Sequence, residues 1–515
     1  MPITQAGALN TTALVVPDLY VQIVPPAVAN LNGVPTNVLG IVGTATWGPV
    51  DKATIIATMA DYGVAFGPVQ NRLFDMGTHV ALAVLQGASN FRCVRVSDGT
   101  DKAATAEIGA TPDISFTALY TGSAGNNLTV TISPGGKANA WNVVVAMPGS
   151  APEQFSNITG TGAGFWQAVA NAINNGTGAL RGPSQYITAT IGTGTGTDAP
   201  VAQLVTFAGG TDGATTITAQ TLLGQNMTGK TGMYCLGGTG CSVAVLADAT
   251  DPTTFTTQTQ FGLAQGIYMV GALPAGTSVG NAVTMMQTNT PDSYGMKVMH
   301  GDWLYWYDPV NLLYRLVSPA AFAAGKLVAL SPEQSTLNKP LYGIVGSQSF
   351  GLPGTAMASP YAEADLQSLF EAGLDVITNP IPAGPIWGVR GGFNTNLSPD
   401  VNGDNYTRMT NYIAATLNGG MGVYVGQLIN SDLFQNIRAT LLSFLGNMLD
   451  QSLLGSTDGK LPYSVVCDLT NNPPNRTGLG YVQADVQVRY QAINKKFIVN
   501  LEGGQTVTIT QQTGA

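Results

Sequence analysis

The chain has 515 residues, more than one hydrophobic core organises, so several domains are expected. Only 10% of its residues are charged, the net charge is −9, and no Lys/Arg run reaches the length of a basic patch, which excludes a nucleic-acid backbone as the main ligand. Gly, Thr, Asn and Ala abound, a composition suited to turns, β-structure and wide neutral contact surfaces.

Between Pro17 and Pro25-Pro26, Leu19, Val21 and Ile23 alternate with Tyr20, Gln22 and Val24, which predicts one short edge or swapped strand within an extended arm over residues 1–30. The apolar run Val38–Val42 predicts a buried strand. Leu73, Phe74, Gly77, Val80, Ala81, Val84 and Leu85 then fall at helical spacing, and Phe91–Val96 reads as a further strand, completing a strand–helix–strand unit over 31–103. From 104 to 218, Thr, Gly, Asn and Val dominate; strands near Leu128–Ile132 and Asn142–Ala146 and one helix near Phe165–Ile173 predict an inserted β-rich domain. Residues 219–339 alternate strands (Gly266–Val270, Lys297–Met299) with helical stretches, carry the cluster Trp303, Tyr305, Trp306 and Tyr307, and read as a second inserted α/β domain.

From 340 to 495 the pattern is again α/β. Ser359-Pro360 predicts a helix start, with Leu366, Leu369 and Phe370 on one face and Gly373 as the stop. A second helix runs from about Asn405 to Leu417. A third, from about Asp432 to Leu454, sets Phe434, Ile437, Leu441, Phe444, Leu445, Met448 and Leu449 in one stripe. In a C-terminal β arm over 496–515, Phe497, Val499 and Leu501 share one face, and Val507 and Ile509 another. A three-residue turn through Gln505 would align them as a bulged hairpin; otherwise the two strands part and pair with different sheets.

The stretch Thr36–Lys52 (TNVLGIVGTATWGPVDK), with Asp61-Tyr62 and Phe66-Gly67, is similar to the strand and G-T-A-x-x-G-P loop of the contractile phage tail-sheath family, which the chain resembles in order and spacing over some 450 residues. Gly122–Leu128 and Gly209–Gly213 resemble marks at its outer insertion. Trp387-Gly388-Val389-Arg390 resembles its W-G-x-R, followed by Tyr406, Arg408, Phe444-Leu445, Tyr463, Val465, Cys467-Asp468 and Asn471-Asn472. Where many relatives pair two arginines near Tyr406, this chain has only Arg408, and 219–339 matches loosely. The resemblance implies a multidomain α/β and α+β protein: a discontinuous α/β core built from N- and C-terminal segments, inserted β-rich outer domains, and terminal arms that donate strands to neighbouring subunits.

The function so implied is that of a sheath subunit, polymerising with itself in a helical array around a tail tube protein and contracting by rigid-body rearrangement to drive the tube through a host envelope. Baseplate and tail-terminator proteins would be further partners, the virion tail its location, and the host cytoplasm the place of assembly. The expected intersubunit arm residues are Leu19, Tyr20, Val21, Ile23, Phe497, Val499, Leu501, Val507 and Ile509. A glycan- or receptor-binding β-rich virion protein is the alternative, resting on the 303–307 aromatics.

No enzymatic role, cofactor or metal is expected. H-E-x-x-H and G-x-G-x-x-G patterns are absent, His79 and His300 stand apart from any nucleophile pattern, and Glu363, Asp365 and Glu371 read as a solvated helix face. Cys93, Cys235, Cys241 and Cys467 lack metal or redox spacing and read as small buried apolar side chains. The first twenty residues have no basic stretch leading into an apolar core, and no run reaches the ~18–20 apolar residues of a bilayer span, so membrane insertion is not expected.

Overall fold

Apolar runs without alternation form strands buried on both faces, and here they build one seven-stranded sheet. The computed structural model describes residues 3–4, 21–22, 31–178, 181–194, 200–289, 292–352, 361–501, 503 and 505. Across the sheet the order is Leu374–Asp375, Met296–Met299, Tyr268–Ala272, Val243–Leu246, Leu39–Gly43, Phe91–Arg95 and Thr54–Ile56. All neighbours are parallel except the last pair. Alternate residues feed two cores. Leu39, Ile41, Val243, Val245 and Val270 face the helices Met76–Leu85 and Pro319–Ala329; Val42, Ala244, Leu246, Met269 and Val298 face the helices Phe255–Gln265, Val279–Asn289 and Glu363–Glu371. The helices 76–85 and 319–329 approach so closely that a Cβ on Gly325 would meet the Ala83 Cα at 2.6 Å.

This sheet draws strands from the segment 219–339, expected as a second inserted domain. Three of its strands come from residues 243–299 and lie between Leu39–Gly43 and Leu374–Asp375. Buried parallel strands do not announce their partners, because each reads as the same apolar run.

The β-rich segment is a unit of its own. One sheet orders Glu153–Thr159, Ala140–Ala146, Thr129–Pro134 and Gln203–Thr206; a second orders Ile187–Ile191, Ile114–Thr121 and Ala103–Ile108. With the helix Ala163–Asn175 they enclose Phe116, Val130, Val143, Phe155, Phe165 and Ile173. A polar joint ties this unit to the main sheet. Arg95 donates to the carbonyls of Gly48 (2.8 Å), Thr121 (2.6 Å) and Asp212 (3.1 Å), and Asp212 accepts from Arg72 (2.6 Å) and the Ser123 amide (2.6 Å). Asp98 accepts from the amides and hydroxyls of Thr215 and Thr216, bringing the entry and exit strands together.

Three helix boundaries differ from expectation. The helix expected from Leu73 begins at Met76 because Asp75 caps the Thr78 amide at 2.8 Å; Leu73 stays exposed and Phe74 takes φ 60°. The helix expected from Ser359 begins at Glu363, where Asp365 accepts from the Ala362 amide; Ser359 and Pro360 lie outside the described residues. The long helix spans Ser431–Asp450, ending before Leu454, as Ser452 turns to φ 60° and Leu453 donates back to Met448. Among the cysteines, Cys235 is only half-buried and its thiol donates to Asp51 and Lys230 carbonyls.

Candidate assembly surface

The C-terminal region has a third arrangement, with a core on one side only. Helices Asp404–Gly420 and Ser431–Asp450 pack on an antiparallel pair, Tyr463–Val466 with Asp485–Val488. Ile437, Leu441, Phe444, Leu445 and Met448 form the buried stripe, met by Val465, Tyr463, Val486 and Val488 from the inner face of the pair. Ser464 and Gln487 sit opposite each other on the outer face and hydrogen-bond at 3.1 Å. Among the described residues no third strand joins this pair, so each strand has one backbone edge without a ladder partner.

The chain after the pair is first anchored and then free. Tyr490 shares a hydrogen bond with Thr410 (3.1 Å), Asn405 donates to the Gln491 carbonyl (2.9 Å), and Lys495 donates to Asn402 (2.7 Å). Past Lys495, residues 496–501 belong to no helix or strand. Phe497, Ile498, Val499 and Leu501 are 83%, 78%, 69% and 91% exposed. Apolar area of this kind, contiguous and unpaired, marks a surface that another chain covers. A groove of about 800 Å³ runs beside it, lined by Tyr406, Ile413, Leu417, Val486 and Val488.

A buried charge cluster fastens the root of helix 404–420 to the main sheet. Lys297, fully buried in its strand, donates to Asp375 (2.5 Å), to Asp404 (3.1 Å) and to the Phe393 carbonyl (3.0 Å). Tyr268 donates to Asp404 at 2.8 Å, and Thr336 donates to the same carboxylate. Asp375 also accepts the amides of Gly391 and Gly392. Burial would lower the Lys297 pKa, but the attraction of Asp375 and Asp404 raises it; burial would raise Asp404, but Lys297, Thr336 and Tyr268 hold it low. Arg408, also buried, caps the carbonyls of Leu330 and Ser331, and burial pulls it down to about 10.

The expected arm residues fall in different places. Phe497, Val499 and Leu501 form the exposed tail. Val21 lies in a two-residue strand pairing in parallel with Ile3–Thr4 of its own chain. Leu19, Tyr20, Ile23, Val507 and Ile509 lie outside the described residues. Trp303 and Trp306 are buried, so the aromatic cluster is chiefly core and offers no open stacking face of tryptophans. His79 is buried, facing the Asp75 carbonyl and Asp248. Sequence reading missed Lys297, Asp375 and the strand Asp485–Val488; the last carries a legible period of two in Val486 and Val488.

No protein-family model matches the sequence, and no curated protein matches it. Solved structures do. The sheath tail protein of Desulfitobacterium hafniense is 15% identical, with 87% of this chain and 93% of that one covered at a TM-score of 0.56. The sheath tail protein of Listeria innocua is also 15% identical, covering 86% and 90% at 0.57. The chain has the tail-sheath fold. The same fold extends to the PVC sheath of an extracellular contractile injection system in its contracted state: 11% identity, 96% of this chain, 99% of that one, TM-score 0.54. Within the tail-sheath fold, the one-sided C-terminal pair and the bare tail beside it are the surfaces most in need of a partner.

Proposed function

We propose that this protein is the subunit of a contractile sheath, a structural protein that works by assembling with copies of itself. The carrying observation is the tail-sheath fold with two complementary deficits in one region: strand edges at 463–466 and 485–488, and an apolar tail at 497–501. A tail from one copy laid along the pair of another gives the edge its ladder and the tail its cover. The N-terminal arm around Leu19–Ile23 takes the same role from the other end. Subunits so linked stay connected while each turns as a rigid body, which lets a helical array shorten around a tail tube protein without coming apart. The energy of contraction then lies in packing between subunits, with no catalytic chemistry. The core is a discontinuous domain that joins the N-terminal strands to 243–299 and 374–375 and carries the β-rich unit outward, a reading supported by the interleaved sheet order. Baseplate and terminator proteins would cap the array; assembly in a host cytoplasm and residence in a virion tail follow.

The glycan-binding alternative draws no support from Trp303 and Trp306, which are core. Electron microscopy of the purified protein separates the readings: rings or helical tubes, alone or with the tube protein, are expected, whereas dispersed monomers under all conditions would reject the sheath.

A further inference from the structure

The W-G-x-R segment ends in Arg390, and neither the fold nor the arm reading uses that side chain. Arg390 lines a cavity of about 410 Å³ together with Lys339 and Lys495, at the root of the C-terminal tail. Phe497, the first exposed apolar residue of the tail, lines the same cavity, and among the described residues no carboxylate does. In a chain with 29 acidic and 20 basic residues, three cations lining one small space with no carboxylate in its described lining is an unusual concentration; of the three, Lys495 also feels the buried Asp404 and Asp375. Among the described residues, no ion pair includes Lys339, Arg390 or Lys495. The two buried carboxylates below, Asp375 and Asp404, are already engaged by Lys297. Lys326, lowered first by burial and then by the nearby Lys339, extends the same positive side. Like charges left facing one another cost stability unless a ligand of opposite sign occupies the space between them.

We propose that this cavity is an oxyanion site, and that in the assembled protein it takes a carboxylate from a second copy of the chain. The planar Arg390 fork suits a two-oxygen acceptor, and the two flanking ammonium groups supply point charges. The volume admits one or two side chains, not a folded element. Its place beside Phe497 joins it to the surface proposed for assembly, so the source of the carboxylate rests on the self-assembly reading; free phosphate has the same chemistry.

The test uses the full chain with Arg390→Gln, Arg390→Glu, Arg390→Lys and Lys339→Gln. Self-assembly is followed by sedimentation and microscopy across salt concentrations, and monomer stability by thermal unfolding. Arg390→Glu is expected to raise the concentration needed for assembly at least about tenfold, with a weaker salt dependence, and Arg390→Lys to recover part of the loss. The monomer Tm of Arg390→Gln and Lys339→Gln should stay level or rise, because repulsion is removed; a merely structural arginine would lower it. In parallel, the monomer is titrated with inorganic phosphate and with citrate. Saturable binding lost in Arg390→Gln, with assembly unaltered, assigns the site to free phosphate. Where the wild type does not assemble at all, the self-assembly reading fails and the titration alone reads the cavity. Unchanged assembly together with no phosphate or citrate binding would overturn the oxyanion site.

Discussion

The β-rich unit over 103–207 and the C-terminal region over 404–501 are of similar size and opposite finish. The first closes its core between two sheets and a helix; its exposed large apolar side chains are Leu119, Ile191, Val201 and Leu204. The second leaves Val423, Val425 and Leu428 bare in one loop, Leu461, Leu469, Leu479 and Tyr481 bare around the strand pair, and Phe497 to Leu501 bare in the tail. The Val425 and Leu428 side chains are 85% and 86% exposed, as far out as side chains in an unfolded segment. On the assembly proposed above, the intersubunit contacts belong to the module left open. How each module is held differs too. The β-rich unit is pinned at its two crossing strands by Asp98, Arg95 and Asp212, while the C-terminal region is rooted through the buried Lys297–Asp375–Asp404 cluster.

The largest effect should come from cutting the open module. Truncation after Lys495 removes the bare tail and, among the described residues, no buried one, so long assemblies should vanish while circular dichroism and the monomer melting transition stay as in the full chain. Tubes of normal length from this variant would break the comparison at its strongest point. Next in size is the root of that module. Lys297→Met strands two carboxylates in the core, and a loss of about 3–5 kcal/mol in denaturant unfolding is expected. A change below about 1 kcal/mol would mean that water reaches the cluster.

The pin of the β-rich unit gives a pH signature. Hydrogen bonds from Thr100 and Thr216 hold the Asp98 carboxyl well below its ordinary range; burial pushes Asp212 up, but Ser123 and Arg72 outweigh it and hold it low. A carboxyl with a lower pKa folded than unfolded stabilises fully above its unfolded value, about 4, and loses that contribution as pH falls through the folded one. Amide exchange at 98–102 and 211–216 should therefore accelerate below about pH 4 at constant ionic strength. Asp98→Ala should give the same local acceleration at neutral pH, with a local cost of about 1–2 kcal/mol. Protection that does not depend on pH or on Asp98 would place the pin elsewhere.

The smallest effects sharpen the contrast most finely. Leu204→Ser and Leu428→Ser should each shift monomer stability by less than about 0.5 kcal/mol, since both side chains are already in water. Only Leu428→Ser is expected to raise the concentration needed for assembly; equal behaviour of the two would remove the distinction between the modules.

What the sequence disclosed follows the same divide between local and distant. The stripe Phe434 to Met448 and the runs Leu39–Gly43 and Phe91–Arg95 are set by neighbours within a few residues, so periodicity finds them. The joining of 243–299 to the main sheet was hidden, because a parallel neighbour is chosen by crossover packing far along the chain. Lys297 reads as a solvent-facing strand residue until Asp375 and Asp404, 78 and 107 positions away, meet it. The tail was legible as alternating apolar residues, and Phe497, Val499 and Leu501 are exposed; Val507 and Ile509, with which a bulged hairpin would align them, lie outside the described residues. Arg390 was visible as part of a motif, but its cavity exists only where Lys339 and Lys495 come beside it.

A side-chain-resolution reconstruction of the assembled protein tests the central claim most directly. The account expects a segment around Phe497–Leu501 of one copy to lie hydrogen-bonded along residues 463–466 or 485–488 of another. A reconstruction in which each tail covers its own subunit, with every pair of copies meeting through side chains alone, would contradict it.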